Sequence, residues 1–304
     1  MANNAFQENM SIRFRRLLSG DPQGIPPWLD VIQNGETPGY FLPSDAPWVV
    51  HAGLGTLVGG IRALLMQALH PGTLRGVSEH SRYESDPLGR LAGTIRWLTV
   101  TTFGSKEAID GEAARVNRLH QRVTGDYKTN ASESKNYRAS DHDLMLWVHI
   151  CFMESFIVSH LSYTDIPVPG GTDEYIRQWA RAAEPLGLTR DVPKSSQELD
   201  EMISTFYNEN QLRVDEDTRK VIGFIKNPPL PALAKPIYKI LYKAAASTLK
   251  DEFRQMLGIK TLPNWIIKPL TKNLLKLIGL IIGPDSPIEE AARSRIARTQ
   301  ATSA

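Results

Sequence analysis

Two stretches of this chain are helical in period and apolar on nearly every side. Residues 49–69 run through Ile61, Leu64, Leu65 and Met66 and stop at Pro71. Residues 141–163 hold the run Leu-Met-Leu-Trp-Val-His-Ile-Cys-Phe-Met-Glu-Ser-Phe from Leu144 to Phe156. A helix without a polar face has to be wrapped by other elements, and the wrapping is also helical. Apolar spacing predicts helices over 74–83, 88–102, 106–123, 172–184, 195–207, 215–226, 232–248 and 250–257. The clearest β-branched cluster, residues 99–103, falls at the end of a helical pattern. The fold class expected is therefore all-α. With 41% hydrophobic residues in 304, the chain can bury a large core. One continuous domain is expected over 40–283. Residues 1–39 read as an amphipathic entry helix (Ile12, Leu17 and Leu18 against Arg13, Arg15 and Arg16) and a connector rich in proline. Residues 284–304 read as a C-terminal tail, mobile after Pro287.

Several function classes are excluded early. A net charge of +2 gives no electrostatic footprint for nucleic acid. Cys151 is the only cysteine, which removes intrachain disulfides, a Cys-x-x-Cys-His haem attachment, iron–sulfur clusters and Cys-based zinc sites. It fits a reducing compartment. No secretory apolar core follows the basic residues near the N-terminus, and no stretch offers about 18 uninterrupted apolar residues. A soluble, cytoplasmic protein is expected. Gly53, Gly55, Gly59 and Gly60 follow no strand and miss the dinucleotide spacing, so they read as contact points for close helix packing.

The residue with most chemical content is His120. In the 106–123 helix, Ile109, Ala113, Val116, His120 and Val123 share one face, while Lys106, Glu112, Arg115, Arg118 and Arg122 lie on the others. An imidazole in an apolar stripe needs a partner for each ring nitrogen. Hydrogen bonds within the core would satisfy it; so would a metal, haem iron included. His149, in the second all-round apolar helix, is the other candidate of this kind. His70 precedes Pro71 and reads as closing its helix, and His51, His142 and His160 sit near predicted helix ends, where capping or solvated roles are expected. Glu79 and His80 form a polar pair before the Asp86-Pro87 turn, either as a helix-end cluster or as groups facing a bound oxidant. Rival chemistries lack their motifs. No Glu-x-x-His pair supports a di-iron bundle, and there is no His-Glu-x-x-His or Gly-x-Ser-x-Gly.

The run from His70 to Thr94 (HPGTLRGVSEHSRYESDPLGRLAGT), continuing through FGSKEA to RVNRLHQRV and then YRASDHDLMLWVHICFMESF, resembles the catalytic domain shared by bacterial rubber oxygenases (latex clearing proteins) and MpaB-type oxygenases. The likeness extends through QLRVDEDTRKVIGFIKNPPLPALAKPIYKILYKAAAS and covers residues 40–283. It implies a single globin-like helical domain around a non-covalent b-type haem. His120 would be the proximal iron ligand, with Arg90 and Thr94 in the haem environment. Arg90 and Thr94 stand at i and i+4 on one helix, and a guanidinium suits a propionate. Glu79 and His80 would be the catalytic polar groups. The sequence departs from the rubber oxygenases at Gly93, where those enzymes carry a lysine able to occupy the distal iron position. Rubber itself is therefore not the expected substrate.

The expected function is a haem-b oxygenase or oxidoreductase that uses O2 or peroxide on a small apolar, unsaturated substrate. The alternative is a non-catalytic haem-binding protein, a sensor or carrier. Residues 226–283 add a further expectation: ten Lys and Arg stand against Asp251 and Glu252. Lys268, Lys272 and Lys276 repeat every fourth residue among Ile267, Leu270, Leu274 and Leu277. Such a helix, over 266–283, either packs in the ordinary way or lies peripherally on an anionic membrane.

Overall fold

The computed structural model describes residues 10–13, 15, 16, 21, 23–80, 87–130, 132–283 and 286–303; the side chains of 77–80, 87, 88, 90, 302 and 303 lie outside that description. The entry helix expected over 1–20 falls largely outside the described residues, with 10–13, 15 and 16 helical. Among the described residues the regular elements are helices and one hairpin. In order the elements are α1 (Leu29–Gln33), α2 (Ala46–Ala52), α3 (Thr56–Gln67), α4 (Pro71–His80), α5 (Pro87–Phe103) and α6 (Lys106–His120). The strands β1 (Thr124–Lys128) and β2 (Ser134–Arg138) follow, then α7 (His142–Tyr163), α8 (Gly171–Trp179) and a 3-10 turn over Ala180–Leu186. The last helices are α9 (Ser196–Asn208), α10 (Glu216–Lys226), α11 (Lys235–Ser247), α12 (Asp251–Leu257), α13 (Asn264–Ile282) and α14 (Pro287–Ser303).

The two all-round apolar segments do become the centre. α7 lies along α3, and this is the most extensive helix pairing in the fold. Gly59 permits the approach: a Cβ there would stand 2.6 Å from the Phe156 ring and 3.1 Å from the Ser155 carbonyl. α7 is long and apolar enough to cross a membrane, yet 72% of its apolar window is buried within the fold, as befits a core helix. Arg62 of α3 is buried among these helices. It donates to Glu154 Oε2 at 2.8 Å and Ser155 Oγ at 3.0 Å on α7, and to the Thr248 carbonyl after α11 at 3.1 Å.

Three expectations are corrected. Residues 49–69 are not one helix: the chain bends by 96° between α2 and α3. Gly53 takes an extended conformation there, and the Thr56 hydroxyl donates to its carbonyl at 2.8 Å to start α3 afresh. Residues 124–138, which the apolar spacing leaves without a predicted element, form a β-hairpin, with Gly125 opposite Tyr137 and Tyr127 opposite Lys135. Its other side chains are polar and largely exposed; only Tyr127 and Tyr137 are buried, against Leu144. The tail expected after Pro287 is instead α14, docked on α1 and α5. Ala292 and Ile296 are buried with Trp28, Ile32, Trp48, Val100 and Phe103. Arg295 is buried too, donating to the Ile32 carbonyl, to Phe103 O at 2.8 Å and to Pro38 O at 3.3 Å. The sequence hides this because α14 has only a weak apolar stripe; its docking rests on a cation that reads as a surface residue.

Replacing Arg295 by Met strands three carbonyls in an apolar interface. The Arg295→Met protein is expected to lose about 3 kcal/mol of stability by urea unfolding. A chain ending at residue 286 should lose at least as much. If residues 287–303 were a solvated tail, both changes would leave the urea midpoint where it was.

Candidate functional site

The predicted site residues belong to α4, α5 and α6. α5 and α6 form a helical hairpin around Gly104, a close-contact position where a Cβ would stand 2.4 Å from the Val100 carbonyl. Ser105 caps α6 by accepting from the Ala108 amide at 3.1 Å. Glu112 of α6 is buried and fixes the hairpin: it accepts from Arg96 Nε of α5 at 2.9 Å and from Arg115 Nη2 at 2.5 Å. Neither Glu112 nor Arg96 stood out in the sequence. Glu112 was placed on the polar faces of its helix, and nothing local marks a partner sixteen residues earlier.

His120 is the last residue of α6, at the end remote from the Gly104 turn. It is half-buried, and its Nδ1 is buried with no hydrogen-bond partner. Burial lowers its pKa below the ordinary imidazole value, so the neutral, ligating form is favoured at pH 7. Arg90 lies at the corresponding remote end of α5, with its side chain outside the described residues. Thr94 lies one turn further along α5 and is half-buried. Residues 91–99 of α5, including Leu91, Ile95, Trp97 and Leu98, are all only partly covered by protein. Beside Thr94, a Cβ on Gly93 would meet nothing within 4 Å. Glu79 and His80 occupy the last turn of α4; their side chains lie outside the described residues.

His149 on α7 has an unpartnered buried nitrogen as well, Nε2, and burial lowers its pKa to about 4. Its ring is parallel to Trp179, with centroids 6.4 Å apart. Trp179 leads into the 3-10 turn that α6 packs against, where Asn117 Nδ2 donates to Pro185 O at 3.4 Å. The helices of His120 and His149 thus both reach the segment 179–186.

The remaining histidines are more deeply built in than their positions in the sequence implied. His51 ends α2 but is not a solvated cap. Its Nδ1 lies 2.8 Å from Thr102 Oγ1 and its Nε2 2.9 Å from Tyr175 OH. The Thr102 hydroxyl donates to the Leu98 carbonyl, so it accepts from His51 Nδ1–H, and Tyr175 donates to Nε2. Burial, and next the charge of His160, depress the His51 pKa to about 3. His160 is buried, with Nε2 2.8 Å from the Ile166 carbonyl. His70 does close the preceding helix, its backbone amide donating to the Gln67 carbonyl at 3.3 Å, and its ring Nδ1 also accepts from the Gly72 amide at 3.1 Å, capping the start of α4. Of the three expected near helix ends, only His142 is close to that reading, half-buried beside Asp143 and Asp191.

These depressed values set a pH dependence. Below an unfolded pKa near 6.5, the unfolded chain binds protons that the folded His51, His70 and His149 refuse. Stability is therefore full above that value and falls as the pH drops. The loss is about 1.4 kcal/mol per pH unit for each histidine until its folded pKa is reached. Urea midpoints should decline steeply from pH 6.5 to 4.5, and His51→Phe should flatten the decline. A midpoint constant over that window would mean these rings titrate freely in the fold.

Comparison with known proteins bears on this site. No curated relative and no solved structure matches the chain. One family does: the ER-bound oxygenase mpaB/B'/rubber oxygenase catalytic domain, over residues 48–277. The match takes in α3 to α12 whole and with them every candidate residue from Glu79 to His149. It spans most of the sequence, and the chain belongs to the mpaB/rubber oxygenase catalytic-domain family.

Proposed function

We propose that this oxygenase-family domain works with a non-covalent haem b held by His120, and that it oxidises a small apolar, unsaturated substrate with O2 or peroxide. The observation that carries the reading is the buried, unpartnered Nδ1 of a neutral His120. An imidazole orphaned in this way costs about 1–3 kcal/mol. Iron ligation uses one ring nitrogen and gives the ring a reason to stay there. Among the described residues no three His, Cys, Asp or Glu side chains converge as a metal-binding group. A prosthetic group that brings four ligands of its own needs only one histidine, which the site has.

When bound, haem supplies the redox-active centre at which the oxidant is activated. The chain's own residues do the rest. Arg90 would be the residue to hold a carboxylate of the group, since a guanidinium offers fixed donors. Leu91, Ile95 and Leu98 provide the partly covered apolar surface that a hydrocarbon substrate needs, and they keep water away from it. Thr94, half-buried one turn further along α5, would bring a hydroxyl to the same end of the site. Glu79 and His80, a carboxylate and an imidazole in adjacent positions, would be the groups to hold and return a proton. Gly93 leaves the α5 side open, so no amine from that position closes the site.

Purified protein should show a Soret band and yield haem b on extraction with acidic acetone. His120→Ala should abolish haem uptake, and His149→Ala should preserve it. A colourless protein that takes up no added hemin would overturn the proposal; retention by both variants would overturn the ligand assignment. The ferric wild type should be high-spin and bind imidazole readily, whereas Gly93→Lys should convert it towards low-spin and slow that binding. A wild type already low-spin would place a second side chain on the iron and favour the carrier or sensor reading.

A further inference from the structure

We infer that α13 is a docking face for an anionic lipid bilayer. The helix carries two apolar surfaces. One is spent internally: Ile267, Thr271, Leu275 and Ile278 are buried where α13 packs on α11 and α7. The other is exposed among the described residues. Trp265 is 78% exposed, Leu280 75% and Leu277 54%. At 100° per residue these three fall in the half of the helix opposite the buried stripe. On the same count Lys268 borders the buried stripe, while Lys272 and Lys276, each one turn further on, lie in the exposed half, Lys276 between Trp265 and Leu280.

The neighbourhood continues the same chemistry. Asp165 joins Lys272 at 2.6 Å and Lys276 at 3.0 Å, which brings the loop after α7 against α13. The next residue in that loop, Ile166, is 53% exposed. α11, packed on α13, has its own fourfold lysine repeat, Lys235, Lys239 and Lys243. Leu233, just before α11, is 91% exposed. Lys268 makes no ion pair among the described residues, and neither do the three lysines of α11.

Charge decides which occupant fits. A second copy packed face to face would oppose lysine stripe to lysine stripe. A bilayer bearing anionic headgroups offers counter-charges to the lysines and a hydrocarbon edge to the leucines. Tryptophan is the side chain that prefers that boundary, and Trp265 stands at the first turn of α13. The inference is independent of the cofactor, since no residue of the His120 site takes part.

The test is flotation of the full chain with two kinds of vesicle, phosphatidylcholine alone and equal parts phosphatidylcholine and phosphatidylserine. The protein should float with the mixed vesicles, weakly with the neutral ones, and less as salt is raised. Lys268→Gln should weaken binding about fivefold. The double change Trp265→Ser with Leu280→Ser should abolish it without moving the urea midpoint, because both side chains are exposed. Absence of binding to the mixed vesicles would overturn the inference, as would binding that survives the double change. A dimer on gel filtration that the double change dissociates would also overturn it, assigning the face to a second copy.

Discussion

One buried guanidinium orients everything else. Arg62 stands at the contact of α3 and α7 and reaches the end of α11, so three helices share one cation. Such a charge is tolerated only with its partner and its hydrogen bonds complete; removing one side of a buried pair costs about 3–5 kcal/mol. Lysine could not replace it, because the contacts need a planar fork of donors rather than a point charge. From α3 the constraint passes through the bend at Gly53 to α2, where His51 bonds Thr102 of α5. The apolar centre and the candidate site are thereby parts of one hydrogen-bonded frame.

Glu112 repeats the device on a smaller scale. It is a buried carboxylate between two arginines, and it decides how α5 and α6 lie along each other. The two buried carboxylates have different uses. Arg62 and Glu154 sit where no ligand would reach and define the packing. Glu112 sits two turns from His120 on the same helix, and so governs where that imidazole points relative to α5.

The helices were legible because their causes are local. Proline stops, caps such as Ser105 and Asp215, and runs of apolar spacing place nearly every boundary within a few residues. The α2–α3 bend was not legible, since both halves keep the same period and only the backbone at Gly53 breaks it. The hairpin was missed for a different reason: one buried tyrosine per strand leaves no alternation to read. At the site, His120 announced itself as a polar residue in an apolar stripe. Glu112, Arg96, His51 and Arg295 did not. Each owes its burial to a partner distant in sequence, and a single chain read in order carries no record of such pairs.

Arg295 has a consequence for the order in which the molecule is made. It bonds the carbonyls of Ile32 and Phe103, so α14 fastens both α1 and the end of α5 just before the Gly104 turn. These contacts are among the most distant along the chain, and on a ribosome the residue that closes them emerges long after its partners. The hairpin bearing Arg90, Thr94 and His120 is complete in sequence long before it is anchored. A nascent chain therefore carries that hairpin without its α14 anchor until residues 287–303 have been made.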